Sequence, residues 1–327
     1  IFEIVLTTLF NRIEFSWCSS RFKRVIGSIR TGITGVDVSI LTPLQRKISV
    51  KSNEETCCMY TIQRWRMGQT PKKTWDFNGT KIMIQKDYNC FSTKSAHSPE
   101  VQIDSILSYL LDLFKISINS VVQYDMNFPV VIPTIVQECK TLEVYNRVMN
   151  NQQMNVFLRN MPIVSKTVIL SLAVDNDFQC DPDINFRFSS DHLKIGNTFW
   201  ITRGILFSLN CAYIELFKCR LPSEVYVDFV RNWYNSDTTR LECLEILSTR
   251  VNLTASVFDE FKPVRWDAKQ RNKEFRTPSK LIDCGNGLDI LRRDGLRATV
   301  LSTDHSFIFA VWHRPFDNRP PLSSLRS

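Results

Sequence analysis

The fold of this chain is decided by residues 191–250, whose sequence is DHLKIGNTFWITRGILFSLNCAYIELFKCRLPSEVYVDFVRNWYNSDTTRLECLEILSTR. In this stretch, segments whose apolar residues recur every second position, as in a strand, alternate with segments whose apolar residues recur at helical spacing. Strands are expected over residues 192–197, 213–217 and 241–247, and Thr202 is expected to cap a short helix between the first two strands. A longer helix follows the second strand, with an apolar stripe formed by Val225, Tyr226, Phe229, Val230 and Trp233. This order of elements predicts parallel crossovers and therefore an α/β fold.

The same stretch also carries a helix cap, a turn and a helix end in a distinctive order, formed by Trp200, Thr202, Asn210, Cys211, Phe229 and Trp233. These residues resemble the F-box-associated domain, type 2, of the F-box family that is expanded in nematodes. The resemblance places the core of that domain at about residues 190–250. Pro222 departs from the family pattern, in which Thr or Ser caps the second helix, and Ser223 is expected to take over that cap.

Length and composition are those of a globular protein. The chain has 327 residues, of which 43% are hydrophobic and 23% are charged, so a sizeable core is expected. No apolar run approaches the roughly 20 residues that span a bilayer, and Glu3 interrupts the apolar start of the chain. The sequence therefore predicts an intracellular protein, in the cytoplasm, the nucleus or both.

The chain is basic, with a formal charge of +8 and a pI near 9.0. Such a charge allows an acidic partner but does not require one, because the lysines and arginines are scattered along the chain. No nucleic-acid recognition motif accompanies the charge, so nucleic-acid binding is the weaker hypothesis.

The sequence predicts no catalytic, cofactor-binding or metal-binding residues. Its ten cysteines include no Cys-x-x-Cys pair, which favours buried, reduced thiols over zinc ligands or disulfides. Gly285-Asn286-Gly287 lacks the third glycine and the strand-to-helix context of a phosphate loop, and it is more typical of a turn. Glu242 and Glu245 flank a predicted strand, where carboxylates usually face outward, and no nucleophile stands beside a base.

The first thirty residues predict short helices with apolar stripes. Residues 2–26, FEIVLTTLFNRIEFSWCSSRFKRVI, resemble the latter two-thirds of an F-box. The family's leading Leu-Pro segment is missing and the chain begins with Ile1, so the F-box is expected to be incomplete at its N-terminus. The resemblance implies docking on a Skp-type adaptor, with candidate contacts at Ile4, Leu9, Ile13, Phe15 and Trp17. The alternative role of each is the core of the helical module.

The patterns divide the chain into four parts. Residues 1–30 are the partial F-box. Residues 31–97 comprise a linker over 31–43 and a small β layer with a hairpin turn at Asn78-Gly79. Residues 98–260 form an irregular array of βα repeats, and residues 261–327 form a C-terminal β module and tail. Within that module, LDILRRDGLRATV and FIFAVWH resemble the C-terminal ending of the same family.

The array is expected to begin with a helix that Ser98 caps and Pro99 starts. Strand centres then recur every 20 to 30 residues or so, close to the spacing of leucine-rich repeats, at Val122, Leu142, Leu170, Leu193, Ile214 and Leu244. These strands are expected to lie side by side in the same direction. Residues 178–188 interrupt the spacing, either as a long loop or as an aberrant repeat.

The resemblance implies a substrate-recognition subunit of an SCF-type cullin-RING ubiquitin ligase. The N-terminal helices would bind the adaptor, and through it a cullin, while the α/β array would bind an unknown protein target. Such a receptor acts by effective concentration and is not itself an enzyme. One alternative is a protein-binding module that has lost adaptor docking. The weaker alternative, a nucleic-acid-binding protein, predicts an affinity that falls steeply with salt.

Overall fold

The computed structural model describes residues 9–28, 32–43, 45–52, 56–61, 73–87, 90–94, 96–124, 128–181, 183–184, 188–248, 251 and 253–316. It is mixed α/β, as predicted. The chain divides into two compact units, here called the N-terminal unit (Ile1–Met149 with Asn160–Ser165) and the C-terminal unit (Asn150–Arg159 with Lys166–Ser327).

The N-terminal unit is a sheet with helices. Its described helices are α1 Leu9–Ser16, α2 Ser20–Ser28 and α3 Pro99–Phe114. Its described strands are β1 Ile33–Thr42, β2 Gln45–Ser52, β3 Thr56–Thr61, β4 Lys73–Phe77, β5 Thr80–Asp87, β6 Cys90–Lys94, β7 Ile118–Gln123 and β8 Glu138–Met149. The strand order is β8-β7-β1-β2-β3-β6-β5-β4, and α3 lies on β2 to β5 while α1 contacts α2 and β3.

Two local predictions in this unit are confirmed. The Ser98 hydroxyl accepts a hydrogen bond from the Val101 N–H at 3.4 Å, and α3 begins at Pro99. Asn78 and Gly79 have φ angles of 53° and 88°, which is the positive-φ pair that a tight β4–β5 hairpin requires.

The linker predicted over residues 31–43 is wrong, because strand β1 occupies Ile33–Thr42. Val36, Val38 and Ile40 alternate along it and are buried. Their period-two pattern outweighs the Gly and Thr content of the segment. A separate F-box-like helical module is also not confirmed, since α1 and α2 pack with α3 and the sheet of the N-terminal unit.

The C-terminal unit is built on a second stretch of sheet. Its helices are α4 Asn151–Arg159, α5 Arg203–Ser208 and α6 Ser223–Tyr234, with a 3₁₀ helix at Ala255–Phe261. Its strands are β9 Ile163–Val174 (in this unit from Lys166), β10 His192–Ile195, β11 Tyr213–Cys219, β12 Cys243–Ser248, β13 Val264–Arg265, β14 Glu274–Arg276, β15 Leu281–Asp283, β16 Leu288–Leu291, β17 Arg297–Ser302 and β18 Ser306–Trp312. The order is β13-β16-β17-β18-β12-β11-β10-β9, and β14 and β15 form a separate hairpin.

Strands β9 to β12 run parallel, which confirms the central prediction for this unit. Ile195 pairs with Leu170, Leu193 with Ile214, and Ile214 with Leu244. In the N-terminal unit, β7 and β8 are likewise parallel. A leucine-rich-repeat-like array is not confirmed, because the connections share no common unit: α5 has 6 residues and α6 has 12. The described residues between β9 and β10 form neither helix nor strand.

The predicted C-terminal strands are confirmed as β16, β17 and β18. They do not stand apart as a separate module, since β18 pairs antiparallel with β12 through Leu244 and Phe309. The cap predicted at Ser223 is wrong. Pro222 occupies the N-cap position of α6 without a side-chain cap, and the Val225 N–H donates to the Pro222 carbonyl at 3.0 Å.

Candidate functional site

The sheet of the C-terminal unit has a helix face that is closed by aromatic packing. Residues such as Leu244 and Ile246 of β12 are fully buried on this face. Helix α6 lies on it, with the ring centroids of Phe229 and Trp233 at 6.0 and 5.0 Å from that of Phe309. In the described part of the chain, this face of the sheet is core.

The opposite face is divided into a covered part and an uncovered part. In the covered part, the β14–β15 hairpin lies over β12 and β18. Apolar side chains fill the space between them, namely Cys243, Phe275, Ile282, Cys284, Ile308, Ala310 and Trp312. Phe275 and Trp312 meet edge to face at 5.0 Å between ring centroids. The hairpin is thus held by its own hydrophobic core.

A buried ion pair anchors the covered part. The side chains of Arg271 and Asp289 are 0% and 1% exposed, and Arg271 Nη2 lies 2.8 Å from Asp289 Oδ1. The same nitrogen donates to the Cys284 carbonyl at 2.9 Å, just beyond β15. The Thr299 hydroxyl donates to Asp289 at 2.7 Å, and Trp312 Nε1 donates to Thr299 at 2.7 Å. Because these groups satisfy one another, the charges can remain buried.

A charged strip lies between the two parts. Glu215 Oε1 is 3.0 Å from His192 Nε2 and accepts a hydrogen bond from the Ser279 hydroxyl at 3.0 Å. Lys194 Nζ is 3.4 Å from the other oxygen of Glu215. Burial raises the pKa of Glu215, but the His192 hydrogen bond and the charges of Lys194 and His192 outweigh it and hold the pKa at about 2.

Glu245 lies in the same strip. The sequence predicted that it faces outward, and this prediction is wrong. Its side chain is 6% exposed, and Lys280 Nζ lies 2.7 Å from its Oε1. The carboxylates are therefore buried while the lysine ammonium groups reach solvent. Among the described residues, no group of three or more His, Cys, Asp and Glu side chains converges as a metal site would require. Burial raises the pKa of the nearby Cys243 thiol well above its usual range, which makes it a poor nucleophile.

The uncovered part, here called the uncovered patch, lies at the carboxyl ends of β10, β11 and β12. It is an open depression of about 550 Å³ lined by Lys194, Gly196, Phe217, Lys218, Leu247 and Ser248. Phe217 and Leu247 are half-buried and form its apolar floor. The Lys194 ammonium lies 5.2 Å from the centroid of the Phe217 ring, within cation–π range.

A bulge in β11 shapes the patch. Lys218 has a φ of 57°, and the register slips between Phe217 and Cys219. A left-handed conformation at a residue other than glycine costs about 1 kcal/mol or more. Because of the bulge, two consecutive side chains, Phe217 and Lys218, both line the patch, while Cys219 is fully buried. The Ser248 hydroxyl donates to the Cys219 carbonyl at 2.7 Å and supports the bulge.

The predicted adaptor contacts lie in the N-terminal unit. Ile4 is outside the described residues, and so is the side chain of Leu9. Ile13 is fully buried. Phe15 is half-buried, with its ring centroid 6.0 Å from that of Phe22. Adaptor binding by these residues remains a prediction.

Trp17, the last predicted contact, packs into an aromatic cluster. Its ring centroid lies 5.5, 5.8 and 4.9 Å from those of Trp75, Phe77 and Phe91. The Tyr109 hydroxyl of α3 donates to the Ser16 carbonyl at 3.0 Å. These contacts attach the end of α1 to the rest of the N-terminal unit.

The residues that carry the family resemblance have structural roles. Thr202 caps α5 by accepting from the Ile205 N–H at 3.3 Å, and Trp200 Nε1 donates to the Asn197 carbonyl at 2.8 Å. Cys211 is buried, with its Sγ 3.4 Å from the Phe188 carbonyl oxygen. None of them lines the uncovered patch, and their contacts hold the fold of the unit together.

Sequence reasoning missed Lys194, Phe217 and Lys218. The strand alternation puts Phe217 on the same face as Glu215, and that signal was available. The bulge at Lys218 has no such signal in the sequence. The described part of the 178–188 segment is a packed loop, with the Phe178 ring 5.8 Å from that of Trp200.

Residues 182–246 match the family described as "F-box associated", which confirms the predicted resemblance for this segment. Uncharacterized protein F59B2.8 of Caenorhabditis elegans is 26% identical over 342 residues, covering 96% of this chain and 75% of that protein. Uncharacterized protein F59B2.9 of the same organism is 24% identical over 203 residues, covering 58% of this chain and 45% of that protein. No solved structure matches the chain. No helix in the described part of the chain is long and apolar enough to cross a bilayer.

Proposed function

We propose, from the F-box-associated match over residues 182–246, that this chain is a substrate-recognition subunit of an SCF-type cullin-RING ubiquitin ligase. Its N-terminal helices bind a Skp-type adaptor, and its C-terminal unit binds a protein target. The chain performs no bond chemistry. It holds a lysine of the target near the charged conjugating enzyme, and the gain is effective concentration.

The arrangement of the C-terminal unit supports the target-binding half of this proposal. The family match covers β10, β11 and the first four residues of β12; the helix face of these strands is closed and the opposite face is partly open. Parallel strands buried on one side give a rigid support for side chains on the other. The uncovered patch is the part of this support that combines apolar floor, exposed cations and a strained residue.

Phe15 is the best placed of the proposed adaptor contacts. It is half-buried near the end of α1, whereas Ile13 is fully buried and could reach a partner only if α1 moved. A Phe15→Ala variant is therefore expected to weaken adaptor binding by about tenfold if this helix is the docking element.

The test is co-purification of the protein, expressed from the start of its gene, with a Skp-type adaptor. Retention of the adaptor, reduced by Phe15→Ala and unchanged by Val264→Ala on exposed strand β13, supports the proposal. Failure to retain the adaptor, with the protein shown to be folded by its circular dichroism spectrum, overturns it.

One observation favours a second candidate function, a protein-binding module without adaptor docking. Ile13 is fully buried and Trp17 packs against other aromatic rings of the N-terminal unit, so both have a core role, which is the alternative to adaptor contact. In that case the adaptor is not retained, while the C-terminal unit still binds its target.

A further inference from the structure

We infer that the uncovered patch binds a short acidic segment of a protein target, with one aromatic or aliphatic side chain of that segment seated between Phe217 and Leu247. The inference rests on the proposed function, because it specifies the chemistry of the target that the C-terminal unit recruits. It is argued from the charge, the apolar floor and the backbone pairing of the patch.

The exposed charge of the patch is positive. Among the described residues, six line the patch; two of them are lysines and none is a carboxylate. The neighbouring carboxylate of Glu215 is 9% exposed, whereas Lys194 is 40% exposed and Lys218 is exposed as well. Within the described part of the chain, Lys218 has no ion-pair partner. A partner approaching from solvent therefore meets ammonium groups first, and carboxylates complement them.

The floor of the patch calls for an apolar anchor. Phe217 and Leu247 are neighbours on adjacent strands, since these two residues are paired in the β11–β12 register. Gly196, which follows β10, lines the patch as well. A partner side chain seated between Phe217 and Leu247 removes the apolar surface of both residues from water. Single buried anchors of this kind can contribute most of the binding energy of a small interface.

The backbone pairing decides how the partner binds. Strand β10 pairs with β9 and β11, β11 with β10 and β12, and β12 with β11 and β18. Because each of these three strands is paired on both sides, the target cannot bind to any of them by adding a strand. It must be held by side chains, with Lys194 and Lys218 flanking the anchor.

A nucleic acid fits the patch less well. Base stacking needs an open aromatic face. Phe217 supplies the one aromatic ring among the described lining residues, and the Lys194 ammonium lies 5.2 Å from its centroid. The lysine is also engaged by Glu215 at 3.4 Å. Two exposed lysines on a compact apolar floor are better matched by an acidic peptide than by a chain of phosphates.

The experiment is a fluorescence-anisotropy titration of the full chain against a short fluorescein-labelled peptide of alternating aspartate and glutamate with one central phenylalanine. Three matched probes accompany it: the same peptide with alanine for phenylalanine, the same peptide with lysine for every acidic residue, and a single-stranded oligonucleotide. Tight binding of the first peptide alone supports the inference. Equal binding of the basic peptide, or preference for the oligonucleotide, overturns it.

The variants locate the site. Phe217→Ala and the double variant Lys194→Glu with Lys218→Glu are each expected to weaken binding of the acidic peptide by about tenfold or more. Lys269→Glu removes an exposed lysine elsewhere on the C-terminal unit and serves as the charge-matched control for Lys218→Glu alone. Lys218 is exposed, so Lys218→Glu alone remains informative if Phe217→Ala fails to fold. Unchanged affinity in the folded patch variants overturns the inference.

Failure of this inference is separable from failure of the proposed function. A chain that retains the adaptor but does not bind the acidic peptide is a receptor with a different target surface. A chain that binds the peptide through the patch but does not retain the adaptor supports this inference and overturns the ligase function.

Discussion

The covered and uncovered parts of one sheet face differ in how far their charged and apolar side chains are buried. Under the β14–β15 hairpin, Arg271 and Asp289 are buried together with Phe275 and Trp312, and each polar group of the pair has a partner. At the carboxyl ends of β10 to β12, Phe217 and Leu247 are only half-covered and the lysines reach solvent. The same face therefore serves stability at one end and is available for binding at the other.

The difference shows how one sheet face is closed at one end and left open at the other. A hairpin that buries one half leaves the other half framed by fixed side chains, with no need for a mobile loop. The left-handed Lys218 adds local strain where binding is proposed, whereas the covered part has no positive φ at a residue other than glycine in β14 to β18. The strained backbone at Lys218 therefore lies in the segment that lines the uncovered patch.

The largest expected effect lies in the covered part. Asp289→Ala leaves the buried Arg271 guanidinium without its partner, which should lower the free energy of unfolding by about 3 to 5 kcal/mol. Urea unfolding followed by Trp fluorescence measures this loss. The matched control is Lys273→Ala, which breaks the exposed pair with Asp283 and should leave the midpoint unchanged. A small effect of Asp289→Ala would show that the hairpin is not anchored by the pair.

A smaller, pH-dependent effect is expected in the charged strip. The pKa of Glu215 is lowered from 4.5 to about 2 in the folded protein, so its charge stabilises the fold above pH 4.5 and that contribution is lost as the pH falls towards 2. Glu215→Gln should therefore cost up to about 3 kcal/mol at neutral pH and progressively less between pH 4.5 and 2. Unfolding of both proteins across this range tests it. A constant difference would mean that packing, not charge, is lost.

The smallest effect is expected in the uncovered part. Lys218→Gly relieves the left-handed strain and should raise the unfolding free energy by about 0.5 kcal/mol, because the gain exceeds the added flexibility of glycine. Lys218→Ala keeps the strain and should not stabilise. Thermal unfolding of the two variants side by side gives the comparison. Equal melting temperatures would remove the argument that strain shapes the patch.

Local patterns predicted much of the C-terminal unit. The apolar stripe from Val225 to Trp233 and the alternation around Ile214 depend only on helical and strand periodicity, and both elements formed where expected. Thr202 was predictable as a cap because threonine directly before a helical segment is a common N-cap. Segment 31–43 was not, since Gly and Thr masked the alternation of Val36, Val38 and Ile40.

The candidate site was less predictable, because its residues meet only across strands. Glu245 sits in a strand where carboxylates usually face outward, yet the chain returns about 35 residues later and places Lys280 against it. Nothing in the local sequence encodes that return. The pairing of Phe217 with Leu247 is likewise a matter of register, which depends on the length of the connection through α6.

The sequence by itself determined the elements of the C-terminal unit, its parallel strand order and its resemblance to the F-box-associated family, because periodicity and short motifs act over a few residues. Only the tertiary structure decided which half of the sheet face is covered, that the acids of the charged strip are buried while its lysines are exposed, and that a bulge brings Phe217 and Lys218 together. Those features arise from contacts between residues far apart in the chain, whose free energies no local pattern records.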